Sequence, residues 1–271
     1  MAFGKNAAAS GIDSLAIGQS ALASGQGAVS LGWGKATADY AMSLGYNSTA
    51  GGINATALGN GASAAGLQAT ALGDRASAAG VDAVALGRQA EASHADALAL
   101  GREAKATNTR AMAFGSSAAA SGIDSLAIGQ GALASGQGAV SLGWGKATAN
   151  YAVSLGYNSG ASGSYAVSLG YGSTAGGSSA LALGSSTRAE GIRAVALGDQ
   201  ASAGGDRAVA LGYKASAAGV DAVVLGVDAA ASHADALALG RLAKATNTRA
   251  MAFGSSAAAS GIDSLAIGQG A

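Results

Sequence analysis

Two short stretches carry side chains of the kinds that do chemistry. Gly32, Trp33, Gly34 and Lys35 place a lysine behind two glycines, as a phosphate-cradling loop would. Ser93, His94 and Asp96, repeated as Ser232, His233 and Asp235, bring together a hydroxyl, an imidazole and a carboxylate, the groups of a hydrolytic triad or a metal site. A third set could recognise rather than react. Nearly all the large polar-edged aromatics fall into two groups: Trp33, Tyr40 and Tyr46, then Trp144, Tyr151, Tyr157, Tyr165 and Tyr171. Exposed aromatic clusters are good recognition surfaces for proteins and sugars.

The first two readings fail on local sequence. A phosphate loop needs G-x-x-x-x-G-K-[ST] opening a helix. Here position 29 is valine, the residue after Lys35 is Ala36, and no helical pattern follows. Triad residues meet by folding, not by proximity along the chain. His94 and His233 occupy a column otherwise held by glycine and asparagine, where tolerance of positive φ already accounts for them. The expectation is no enzyme: no catalytic residue, no cofactor and no metal site. The calcium-binding G-G-x-G-x-D nonapeptide is also missing.

What must position the aromatics is a repeat. Twenty glycines from Gly4 to Gly268 recur at steps of 14 residues, with two steps of 13. Residues 112–132 return unchanged at 251–271, and the stretch from Met1 returns with a few substitutions from Met112. Large apolar residues stand three and one before most of these glycines, as with Val84 and Leu86, almost always with Ala or Ser between them. That alternation is the signature of a strand with one buried face. A second alternating pair, such as Ala62 and Ala64, follows each glycine. Two strands and two turns per repeat make one coil of a narrow, all-β parallel solenoid of about 20 rungs, roughly 95 Å long at about 4.8 Å per rung.

Two expectations concern which side chains point where. The bulky triplet residues are expected inside, leaving the small Ala or Ser on a flat outer face against which sister chains pack. The glycine seven residues after each register glycine is expected in a left-handed turn, a conformation glycine adopts freely. One exposed column carries Asp82, Asp96, Arg110 and Asp124, and later Arg193, Arg207, Asp221, Asp235, Arg249 and Asp263, close enough for ladders such as Asp96, Arg110 and Asp124. Exposed pairs of this kind add little stability. Ile12, Ile53, Leu67, Val81, Ile123, Ile192, Val220 and Ile262 recur one position past the glycine and are expected to pack within the turn or between chains.

Composition narrows the class further. The 271 residues include 45 glycines, no proline and no cysteine, with 15 basic against 15 acidic side chains. Disulfides and thiolate metal sites are excluded, and zero net charge gives no reason to expect nucleic acid or an anionic membrane surface. Glycine does not fall at every third position, which excludes collagen. No apolar run approaches the length that spans a bilayer, and no signal peptide opens the chain. Residues 1–271 read as a single repeat domain, a piece of a longer protein.

The SLAIG, AVSLG and AVALG motifs, each followed by A-x-A-x-G at 14-residue spacing, resemble the YadA-like (Hep-Hag) head repeats of trimeric autotransporter adhesins. The resemblance covers essentially the whole chain. It implies a left-handed parallel β-roll, a homotrimer, and display on the Gram-negative cell surface by an outer-membrane anchor that, like the stalk, is absent here. It also implies secretion across the envelope and attachment to host extracellular matrix or a cell-surface glycan or other receptor. The candidate receptor-binding surface is the aromatic set named above, weighed against simple stacking along a turn. Rival readings are a passive spacer rod holding a distal tip and an ice-binding solenoid, which would need a regular threonine array. A hexapeptide-repeat acyltransferase, also trimeric, is contradicted by the 14-residue period.

Overall fold

The computed structural model describes every residue, Met1–Ala271, as two compact units, Met1–Gly138 and Ala139–Ala271. Both are built the same way, as a parallel β-solenoid with about 19 turns of roughly 14 residues in the chain. A three-residue strand such as Thr56–Leu58 runs into each register glycine, and a two-residue strand such as Ser63–Ala64 follows. Successive three-residue strands pair in parallel one coil apart, Thr70 with Val84 and Leu72 with Leu86, forming the first sheet. The two-residue strands do the same in the second sheet, Ser63 with Ser77. The second unit repeats the pattern, with Val195 opposite Val209 and Ser202 opposite Ser216.

The two sheets face each other through alanine. Ala57 and Ala71 of the first sheet and Ala62 and Ala64 beside and within the second are fully buried. Leu58 and Leu72 remain 40% and 37% exposed. The expected orientation of the first sheet is therefore reversed: small residues point inward and bulky ones outward. The cause is volume. Strands this short leave two sheets so close that only a methyl or hydroxymethyl fits between them at interior packing density. The largest fully buried side chain in the protein is Val224, standing where its neighbours have alanine. A solenoid cored by alanine buries little apolar area per coil. Its large hydrophobes lie on an outer face that carries no charge.

The turns also differ from expectation. Each is a four-residue turn closed by an amide-to-carbonyl bond, Ala62 to Gly59 in the first turn and Ala69 to Gly66 in the second. The left-handed residue is the third, as in a type II turn. It is Arg75 or Gln89 in first turns and Asn54 or Asp82 in second turns, all with φ between 54° and 58°. The column of Gly66 and Gly80, together with His94, has no left-handed φ, so the expected backbone role is corrected. Glycine serves there for close approach: a Cβ on Gly66 would stand 1.8 Å from the carbonyl oxygen of Gly80 in the next coil. At the register glycines both reasons apply, since Gly59 has φ 134° and its Cβ would come 2.4 Å from the Gly73 oxygen.

Candidate recognition surface

Because strands of the two sheets alternate along the chain, the two turns of every coil lie on opposite edges. This separates what the sequence groups together. Trp33 and Tyr46 share the first-turn edge, with ring centroids 5.1 Å apart and planes inclined by 33°. Tyr40 sits on the second-turn edge, left-handed at φ 58°, with its ring over Gly27 of the preceding coil. In the second unit Trp144, Tyr157 and Tyr171 form one first-turn stack with spacings of 5.3 and 5.5 Å. Tyr151 and Tyr165 form a second-turn stack at 5.1 Å. All eight residues are between 39% and 61% exposed, so the seven that stack are accessible as well, while Tyr40 stacks on no other ring. Tyr213 continues no stack; Lys214 Nζ lies 5.1 Å from its ring centroid.

Each tryptophan marks a 13-residue coil. In Gly32-Trp33-Gly34 the first turn has lost its left-handed third residue, and the polar groups exposed by the loss are met from inside. Ser30 Oγ donates to the Gly34 carbonyl at 2.6 Å. The Lys35 amide reaches Ser43 Oγ at 3.2 Å as well as the Ser48 carbonyl at 2.8 Å. Ser43 and Ser48 bond to each other at 2.7 Å, and Ser48 Oγ donates to the Gly45 carbonyl. Ser141, Ser154 and Ser159 repeat the network around Gly145 and Lys146. A further pair, Ser168 and Ser173, bonds at 2.7 Å beneath Tyr171. These serines are buried within the alanine core, where Ser14, Ser125 and Thr187 are the other buried polar residues. Sequence reasoning missed them, although a serine at an otherwise alanine position was the available signal. The Lys35 amide is thus engaged within the sheet, and Lys35 itself is an exposed residue of the second sheet. No phosphate cradle forms.

Ser93 Oγ donates to Glu91 at 2.8 Å, and no hydrogen bond joins the side chains of Ser93, His94 and Asp96. Asp96, not His94, is the left-handed residue of that turn. Asn108 of the same column caps its own turn instead, accepting from the Thr109 amide and donating to the Ser121 carbonyl.

The charged column pairs one coil apart. Arg110 grips Asp124, Arg207 grips Asp221, and Arg249 grips Asp263, each through two guanidinium nitrogens. Those hydrogen bonds, helped by Coulomb attraction, hold the three carboxyls below the ordinary carboxylate range. Asp96 acts on Arg110 only through charge, so the expected three-member ladder is a pair with an onlooker. In the first unit a groove of about 800 Å³ opens beside Arg75, Glu91, Glu103 and Lys105. The corresponding positions in the second unit are Lys214, Ala230, Leu242 and Lys244, so its two glutamates have no counterpart. Ile53, Leu67 and Val81 form an exposed ridge on the second-turn edge, 42–47% accessible.

The profile of the YadA head domain repeat (2 copies) matches the chain at residues 1–21, 9–34, 36–62, 64–90, 78–104, 92–118, 120–145, 161–187, 189–215, 217–243 and 245–271. No curated protein matches the chain. The chain belongs to the YadA head family, whose repeats are of a structural and adhesive kind rather than a catalytic one.

Proposed function

We propose that this YadA-type head is the adhesive part of a trimeric surface protein of a Gram-negative bacterium, secreted across the envelope and held by an outer-membrane anchor. Three copies assemble, and their outer edges attach to host extracellular matrix or to a cell-surface receptor. One observation carries the adhesive reading: stacked yet half-exposed aromatics on the turn edges, in a protein whose other turn positions are mostly small or charged. Eight rings, Trp33, Tyr40, Tyr46, Trp144, Tyr151, Tyr157, Tyr165 and Tyr171, are the proposed receptor-facing set.

The assembly reading has its own support. In both units the outer face of the first sheet is a largely apolar ladder, with Leu58, Leu72, Leu183 and Leu225 each more than a third exposed. Contiguous apolar area of this kind marks an interaction surface. The face that would meet sister chains is therefore the bulky one, not the small-residue one. An ice-binding solenoid would have only Thr56 and Thr70 as neighbouring threonines in this ladder.

The test is binding of the head to immobilised matrix proteins and to host cells, beside a Trp33→Ser, Trp144→Ser variant of equal solution mass. A mass near three times 25.3 kDa together with binding that the variant loses supports the reading. A trimer that binds nothing makes the head a spacer rod. A monomer overturns the assembly reading.

A further inference from the structure

The three second-turn aromatics share a property that nothing within one chain explains. Tyr40, Tyr151 and Tyr165 each lie in a coil whose first turn also bears an aromatic: Trp33, Trp144 and Tyr157. Members of each couple stand on opposite edges of the coil, with both sheets between them, so they cannot touch. Charge shows a similar match across the coil. Segments leading from the second sheet to the first hold ten of the fifteen acidic side chains and four of the fifteen basic ones. The first-turn edge and the outer face of the second sheet hold the remaining excess of base. Within single coils of the first unit, Lys5 stands opposite Asp13, Arg75 opposite Asp82 and Arg88 opposite Asp96, and none of these three aspartates has a salt-bridge partner in its own chain. Three coils are like-charged exceptions: Arg102 with Arg110 and Arg241 with Arg249, where Arg110 and Arg249 are already held by Asp124 and Asp263, and Asp228 with Asp235.

A cyclic assembly places the first edge of one copy against the second edge of the next, because its interface is heterologous; a two-fold dimer would set like edges together. With the apolar face of the first sheet turned toward a common axis, same-level turns of neighbouring copies meet. We propose that the recognition patch is composite: Trp33 and Tyr46 of one copy are completed by the partner subunit's Tyr40. In the second unit, Trp144, Tyr157 and Tyr171 are completed by the partner subunit's Tyr151 and Tyr165. The ligand then meets an aromatic cluster spanning the seam between two copies, flanked by cross-seam pairs such as Arg75 with the partner subunit's Asp82. A single chain has only half of it. This rests on the assembly reading above and goes beyond it by assigning which edges meet and what they build.

The absence of native cysteine makes the test clean. Gln19 and Gln26 are exposed on the two edges of the coil preceding Trp33, on its first and second turns respectively. The Gln19→Cys, Gln26→Cys double variant is oxidised or treated with a short bismaleimide, and its products are sized under denaturing conditions. Covalent dimers and trimers are expected from the double variant, one dimer band from a mixture of the two single variants, and none from either single variant alone. A second readout is tryptophan emission in the Tyr40→Ala, Tyr151→Ala, Tyr165→Ala variant. These tyrosines lie across the coil from both indoles, so with the indole alone excited, emission is expected to shift where the rings meet between copies. Cross-linking of a single variant with itself would mean like edges meet and would overturn the proposal. A trimer by light scattering with no cross-edge product and unchanged emission overturns the composite patch and leaves the trimer standing. A monomer overturns both.

Discussion

The chain builds the same irregular coil twice, at Gly32–Gly45 in the first unit and Gly143–Gly156 in the second, and surrounds the two differently. The first has one tryptophan–tyrosine pair above one buried serine pair. The second has three stacked rings above two serine pairs and a second stack on the opposite edge. Stacked first-turn tyrosines and interior serine pairs arrive together: Tyr46 with Ser43 and Ser48, Tyr157 with Ser154 and Ser159, Tyr171 with Ser168 and Ser173. Tyr213, which has alanines beneath it, stacks on no other ring. The comparison teaches that the outer aromatic and the inner hydroxyls form one unit. The serines tie the turn to the sheet behind it, and the ring rides on a turn held from within.

The most severe way to break this equivalence is to fill the space the serines occupy. A Cβ on Gly34 would lie 2.7 Å from Ser43 Oγ and 2.9 Å from Ser48 Oγ, and one on Gly145 would meet Ser154 and Ser159 in the same way. Gly34→Ala and Gly145→Ala are each expected to cost about 1–3 kcal/mol, the usual range for overpacking. Denaturant unfolding should find the two equal within error. A marked inequality would mean that the two coils are alike in sequence only.

Next in size is removal of the hydroxyls. Ser43→Ala and Ser154→Ala take an acceptor from the Lys35 and Lys146 amides and a partner from a buried serine, and should each cost about 1–2 kcal/mol. Ser168 serves no shortened turn, so Ser168→Ala should cost visibly less in the same melts. A smaller effect comes from the rings. Tyr157 is stacked on both faces and Tyr46 on Trp33 alone, so Tyr157→Ala should destabilise more than Tyr46→Ala, by about 0.5–1.5 kcal/mol for the additional contact. Equal losses would show that the third ring adds surface rather than stability.

The smallest expected effect lies in the paired carboxylates away from the aromatics. Asp124, Asp221 and Asp263 are depressed in the folded chain, so their contribution is complete above the unfolded carboxylate value near 3.9 and is lost as pH falls through the folded value. Carboxyl NMR should place the Asp124 midpoint below the ordinary range, and Arg110→Gln should return it there. A midpoint unmoved by that substitution would remove the ion pair as its cause.

Much of this fold is legible in the sequence, and the rest fails for definite reasons. The 14-residue period, both strands and both turns follow from the column of register glycines and the alternation before it. Alternation shows that a strand has two unlike faces without showing which is inward. Deciding that needed the distance between sheets, which admits Ala57 and rejects Leu58. The buried pair Ala62 and Ala64 was the available signal, because a wall of methyl groups calls for a facing wall of equal size. The Gly66 column misled because glycine answers two different needs, left-handed backbone and close approach, and only the second operates there. The aromatic residues stand out by type, and the structure leaves all eight at least 39% exposed. Their division between two edges was hidden because Trp33 and Tyr40 are near in sequence yet lie on opposite edges of one coil.

The shortened coil has a consequence for how such a gene can change. Val29 still faces Met42 and Leu31 still faces Leu44 across the missing residue, so the loss stays within one turn and displaces no neighbouring strand. Residues 112–132 and 251–271 are identical and pair as any other coils do. Each coil thus behaves as an exchangeable cassette of fourteen codons. Misaligned recombination between copies can lengthen or shorten the head by whole coils without disturbing the fold, because a stack of like units depends only on its nearest neighbours. The number of coils on either side of the aromatic clusters can then vary between lineages while the clusters themselves stay intact.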